Sequence, residues 1–199
     1  MTPLLEPIRT VAPQMQPVTL ADMKAHLRVE FPDDDILIDQ MIATATAYIE
    51  RVTGQVYIAS TWSHRLQCWP RSVTGERLVE LPKRPVRSIA SVKYRDEDDV
   101  EQTLAGSSYE LVSGTPYLRF KAVAALPSLY GRSDAVTVSF VAGYGDNPGA
   151  VPADFLRPLL FIVADLYRYR ETLSPGGVEA LPSAVTVDRL LQNFRSPFA

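Results

Sequence analysis

The chain has 199 residues, 46% of them hydrophobic and 22% charged, with a formal net charge of −3 from 20 Lys/Arg and 23 Asp/Glu. That is enough chain to bury a core without a staple, and the acid balance argues against a broad basic nucleic-acid surface. Cys68 is the only cysteine, and His26 and His64 are the only histidines, which excludes an internal disulfide and the usual structural zinc sets.

Residues 1–17 carry Pro3, Pro7, Pro13 and Pro17 and read as an extended arm outside the core. The segment has no charged start and no long apolar run, so no secretory leader is expected. Thr19 offers an N-cap with Asp22 three residues on, and Leu20, Met23 and Leu27 then fall at helical spacing. Pro32 and the triplet Asp33-Asp34-Asp35 follow. Adjacent carboxylates suit a metal, but they also suit a helix N-terminus, where they meet free N–H groups. A second helix is expected from that point, with Ile38, Met41, Ile42, Ala45, Tyr48, Ile49 and Val52 on one face and Gly54 as its left-handed cap.

The period then changes to alternation. From Tyr57 to Trp69, residues Ile58, Trp62, Leu66 and Cys68 share one side, which predicts a buried Cys68 and a packed His64. Further strands are expected at 78–81, 86–94, 100–104, 109–112, 117–120 and 135–142. Arg95-Asp96-Glu97-Asp98-Asp99 forms an acidic hairpin tip that lacks the spacing of a calcium loop. The stretch from Lys121 to Asp134 is left as a long connection. Gly143-Tyr144-Gly145-Asp146-Asn147-Pro148-Gly149 has the wrong spacing for a dinucleotide loop and reads as a turn.

Helical spacing returns with Phe155, Leu156, Leu159, Leu160, Ile162, Val163, Leu166 and Tyr167. Asp154 is the expected N-cap, which places Pro158 late in the first turn. The run Leu159 to Ala164 is far too short to cross a bilayer, so no membrane partner is expected. Ser174-Pro175-Gly176-Gly177 is a hinge, and a short helix follows to about Phe194, apolar at Val187, Leu190, Leu191 and Phe194.

The expected fold class is α+β: a small helical bundle with a β-rich insertion between the second and third helices. Its parts are an arm at 1–17, a helical scaffold at 18–55 and 151–172, the insertion at 56–150, and a hinge with a C-terminal segment at 173–199. No catalytic, cofactor-binding or metal-ligating set is expected. There is no Walker A loop and no Gly-x-Ser-x-Gly elbow.

Several pieces, in order, resemble bacteriophage head–tail connector proteins. They are Pro17-Val18-Thr19-Leu20-Ala21-Asp22-Met23-Lys24-Ala25-His26-Leu27-Arg28-Val29, Asp33 to Ile38, and Ala43 to Gly54. Leu81-Pro82-Lys83-Arg84-Pro85-Val86, Val136 to Gly145, and Val151-Pro152-Ala153-Asp154 before the aromatic helix ending Tyr167-Arg168-Tyr169-Arg170-Glu171 complete the likeness. Pro158 departs from the family's third helix.

The resemblance implies a structural adaptor of a tailed phage, prophage or gene transfer agent. Such a protein is made in the bacterial host cytoplasm and resides at the virion's head–tail junction. It would self-associate into a ring, usually of twelve, beneath the portal protein. The ring would pass double-stranded DNA without holding it and would dock a tail-side stopper or tail-completion protein. No catalytic residue comes with the resemblance. Residues 183–199 are expected to grip the portal, with Leu190, Leu191, Phe194 and Phe198 as anchors and Arg195 as a polar clamp. The opposing expectation is that this segment folds back on its own bundle. Two other readings compete: a small hydrolase using Glu80 with His64, and a monomeric ligand-binding β module using exposed Trp62, Trp69 and Tyr130.

Overall fold

The computed structural model describes residues 5–71, 76–121, 126–169 and 184–195. The hinge at Ser174 to Gly177, the run 122–125 inside the long connection, and Phe198 lie outside them. The described residues form four α-helices and eight strands in two antiparallel sheets, a mixed α+β fold with the strand-rich region between the second and third helices. The chain divides into two compact units, one of residues 1–12 and 59–143, the other of residues 13–58 and 144–199.

In the helical unit, α1 (Leu20–Leu27) starts as expected. The Thr19 hydroxyl accepts from the Asp22 N–H at 3.1 Å and donates to the Asp22 carboxylate at 2.6 Å. Arg28 ends the helix in the left-handed region at φ 59°. The Asp triplet opens α2 (Asp35–Thr53), which Gly54 closes at φ 71°. Ile38, Ile42, Ala45 and Ile49 recur on one face and are buried. α3 (Ala153–Arg168) begins two residues earlier than an Asp154 cap would place it. The Pro152 carbonyl accepts from the N–H groups of Phe155 and Leu156 at 3.0 and 3.1 Å, so Pro152, not Asp154, is the N-cap. Pro158 therefore sits in the second turn, where it has no N–H to give the Asp154 carbonyl. α4 (Ala184–Gln192) completes the unit. The core gathers Met23 from α1, Ile38, Ile42 and Ile49 from α2, Phe155, Leu159 and Val163 from α3, and Val187 and Leu191 from α4.

The strand-rich unit holds β1 (Ile8–Val11), β2 (Ser60–Leu66), β3 (Arg77–Glu80), β4 (Val86–Arg95), β5 (Glu101–Thr103), β6 (Tyr109–Leu111), β7 (Tyr117–Phe120) and β8 (Val136–Ala142). One sheet runs β1-β2-β8-β4-β5 and the other β3-β7-β6. β8 lies at the centre of the larger sheet. Its Val136, Val138, Phe140 and Ala142 alternate inward, and Phe140 stands opposite Trp62 on one side and Ile89 on the other. The rule that side chains alternate across a strand sets this register. The Trp69 ring joins the two sheets, 5.8 Å from Tyr94 and 5.4 Å from Phe120.

Besides the start of α3, other features differ from the sequence expectation, among them Tyr48, which is exposed and not on the buried face of α2. Residues 8–11, read as an extended arm, pair with β2 as an edge strand. Cys68 is exposed, because β2 ends at Leu66 and a bend breaks the alternation before residue 68. His64 is packed: it is 4% exposed and stands opposite Val138, and its Nδ1 has no hydrogen-bond partner among the described residues. Burial holds its pKa below the ordinary 6.5.

Two outcomes follow. Phe140→Ala opens a cavity at the centre of the larger sheet and is expected to cost about 3–5 kcal/mol in urea unfolding at constant m-value. The unfolded state binds a proton at His64 that the folded state resists, so its contribution is full above pH 6.5 and is lost as pH falls below that value. The unfolding midpoint is therefore expected to drop more between pH 7.5 and 5.5 for the natural chain than for His64→Val.

Candidate docking site

The short C-terminal helix is the sequence's candidate partner-binding element. Its apolar residues recur at three- and four-residue intervals, which puts them on one side. Val187 and Leu191 are buried, Leu191 to 1% exposure, in the core that α2 and α3 supply. The Phe194 ring packs 4.7 Å from the Phe155 ring. Leu190 is half-buried, and Arg195 is exposed, its guanidinium donating to the Asp188 carboxylate at 2.6 Å within the same segment. The fold thus brings Leu191 and Phe194 together on the helical unit itself, as the fold-back expectation had it.

The seat for this helix is built from residues that spacing alone did not connect to one another. The Phe155 ring stacks on Tyr57 at 4.3 Å and lies 5.5 Å from Tyr144. The Tyr57 hydroxyl donates to the Phe155 carbonyl at 2.9 Å, and the Glu50 carboxylate accepts the Tyr57 N–H at 3.0 Å. The Tyr144 hydroxyl donates to the Gln55 side-chain oxygen, and the Gln55 amide donates to the Phe194 carbonyl, both at 3.3 Å. Burial, with Glu50 adding to it, pushes the Tyr57 phenol far above its ordinary range. Burial and then Asp154 raise Tyr144. Both phenols therefore remain donors at neutral pH. Gln55 and Tyr57 follow the Gly54 cap, where helical period gives way to alternation, and that change of period was the available signal.

The glycine run works as a structural join. The Tyr144 N–H donates to the Tyr57 carbonyl at 3.1 Å, and Ile58 bridges Gly145. A Cβ on Gly145 would collide with the Ala150 Cβ, so close approach explains that glycine.

Several of the acidic groups are likewise engaged. Asp35 pairs with Lys24 at 2.5 Å, and Asp34 accepts from the Tyr167 hydroxyl at 2.6 Å. At the hairpin tip, Asp96 accepts from the N–H groups of Asp98 and Val100 and from the Gln102 amide, which holds its carboxyl below the usual range. Arg132 spans Asp99 and Asp134. Among the described residues no group of His, Cys, Asp and Glu could hold a metal ion, and no helix is long and apolar enough to cross a membrane.

The pair considered for hydrolysis is not assembled. His64 lies in the larger sheet, and Glu80 lies in the smaller one, where its carboxylate is bound by Arg84. The aromatic platform is not assembled either. Trp62 is buried, with the Arg9 guanidinium 4.5 Å and the Lys83 ammonium 4.9 Å from its ring. Trp69 is half-buried and donates to the Pro127 carbonyl, while Tyr130 is exposed.

The architecture has close counterparts. A chain in the neck of an empty gene transfer agent particle, computed with C6 symmetry, matches with TM-score 0.77 and 22% identity over 96% of both chains. Chains in the native gene transfer agent virion and in the native neck computed with C12 symmetry match with TM-scores 0.74 and 0.73 at 24% and 23% identity, again over 96% of both chains. No curated protein matches the sequence. The sequence model of the phage gp6-like head-tail connector proteins matches residues 17–119, just over half the chain. The chain therefore belongs to the phage gp6-like head-tail connector family.

Proposed function

We propose that this chain is a structural, non-catalytic ring subunit at the head–tail junction of a tailed phage or gene transfer agent particle. One observation carries the reading: its fold matches neck chains over nearly the whole length of both partners, including one neck of twelvefold symmetry. Family membership supports the connector role from sequence alone. Glu80, the carboxylate considered for acid–base work, is bound by Arg84, which supports a structural role for it.

In this reading the subunits form a ring, of twelve copies, between the portal protein and a tail-side stopper or completion protein. The helical scaffold at 18–55 and 151–172 carries the insertion at 56–150, and residues 183–199 engage the portal. Leu190, Arg195 and Phe198 would meet the portal directly, while Leu191 and Phe194 hold α4 in place or join them on docking. A charge of −3, repeated around the ring, suits a conduit for double-stranded DNA. Few phosphate contacts mean weak and brief retention.

Electron microscopy of the chain mixed with its cognate portal tests this. The expected result is a symmetric ring on the portal's tail side. A chain that stays monomeric at micromolar concentration beside the portal overturns the ring. A chain ending at Leu181 is expected to bind the portal at least tenfold more weakly; unchanged binding overturns the role of residues 183–199.

A further inference from the structure

β1 is the one described element of residues 5–58 that belongs to the strand-rich unit; the chain from Pro13 to Ile58 belongs to the helical unit. It is four residues long and, among the described residues, pairs only with β2, with a register shift between Arg9 and Val11. Ile8 and Val11 remain 47% and 57% exposed. So short a strand, with little apolar burial, is marginally held. What does hold it is specific. Arg9 stands opposite Trp62 with its guanidinium 4.5 Å from the ring, and the Thr10 hydroxyl donates to the Thr61 carbonyl at 3.2 Å. The Ser60 hydroxyl accepts from the Trp62 indole N–H at 3.0 Å and fixes the ring. The edge of β2 that β1 covers is thus an acceptor for an extended segment that carries a cation opposite Trp62.

We infer that in the assembled ring this acceptor takes β1 from the adjacent copy of the same chain. The inference rests on the ring proposed above. Pro7 and Pro13 flank the strand, and the residue before each proline is kept out of the helical region. Exchange of an identical element preserves every contact β1 makes within one chain. The same ladder and the same Arg9–Trp62 contact then tie copy to copy, so cohesion arises without a new surface. Each copy gives a strand on one side and takes one on the other, a head-to-tail relation that closes around a symmetry axis. A four-residue strand lets the free chain keep β1 at home and release it when neighbours are close.

The test uses Cys68→Ser as background, which removes the exposed thiol. Ile8→Cys and Ser63→Cys are placed on separate chains; these positions are direct register partners, and antiparallel partners lie within disulfide reach. The two chains are mixed, assembled on the portal, oxidised and run on a denaturing, non-reducing gel. The expected product is a linked pair of one chain of each kind, formed in the ring and absent from the mixed free chains. A single chain with both substitutions is expected to give a ladder of linked copies in the ring and a closed monomer when free. A ring seen by microscopy in which the doubly substituted chain closes only on itself overturns strand exchange and leaves the ring standing. Absence of the ring for the natural chain overturns both. Arg9→Glu gives a second reading without cysteines: the free chain keeps its unfolding midpoint within a few degrees, while its ring dissociates at a lower salt concentration. Unchanged ring stability overturns the inference.

Discussion

The helical unit depends on the environment of one ring. Phe155 enters from the first turn of α3 and meets Tyr57, Tyr144 and Phe194, which arrive from three other parts of the chain. Offset aromatic pairs of this kind add to the hydrophobic term and are selective in angle. Polar groups follow that geometry. The Tyr57 hydroxyl reaches the Phe155 carbonyl, and Gln55 links Tyr144 to the Phe194 carbonyl. Glu50, buried at 4% exposure, is acceptable there because it receives the Tyr57 N–H. Without Phe155 the C-terminal helix would lose its seat, and the join between residues 57–58 and 144–145 would lose its cover.

Much of this was legible in the sequence, and the parts that were not have physical reasons. The Thr19 cap, the Gly54 cap and the buried face of Ile38, Ile42, Ala45 and Ile49 are local features, written in adjacent residues, and they stand as read, whereas Tyr48, read on the same face, is exposed. The hairpin with the acidic tip and the alternation of β8 are local too. β1 was illegible because its prolines speak of extended chain but not of a partner some fifty residues away. The start of α3 was misplaced because Asp154 has the chemistry of a cap, while the Pro152 carbonyl occupies the position. Cys68 was misread because alternation predicts a face only for as long as the strand lasts. For the docking segment, spacing gave the apolar side of α4, but the surface it meets depends on Phe155 and Gln55, which no periodic pattern connects to it.

The charged residues show a related economy. Asp34, Asp35, Asp96, Asp99 and Asp134 each hold a turn, a helix start or a neighbouring cation. Such exposed or half-exposed pairs contribute little apiece to stability. Their effect is on geometry, since they hold the hairpin tip and the α1–α2 corner in one conformation. Glu97 and Asp98 are exposed on a tip held by Asp96 and Arg132. A connector needs surfaces of fixed shape, and these contacts supply them cheaply.

The position of β8 has a consequence for the order in which the chain acquires structure. The strand pairs with β2, some seventy residues earlier, and with β4, some forty-five residues earlier. The larger sheet cannot close until residue 142 has left the ribosome. The helical core is later still, because α1 and α2 wait for Phe155, Leu159 and Leu191 at the far end of the chain. Pairings this distant are slow to find, and the waiting segments expose apolar faces meanwhile. Synthesis therefore runs from a strand-rich unit that folds inside the chain to a helical unit that is sealed only by its last turn.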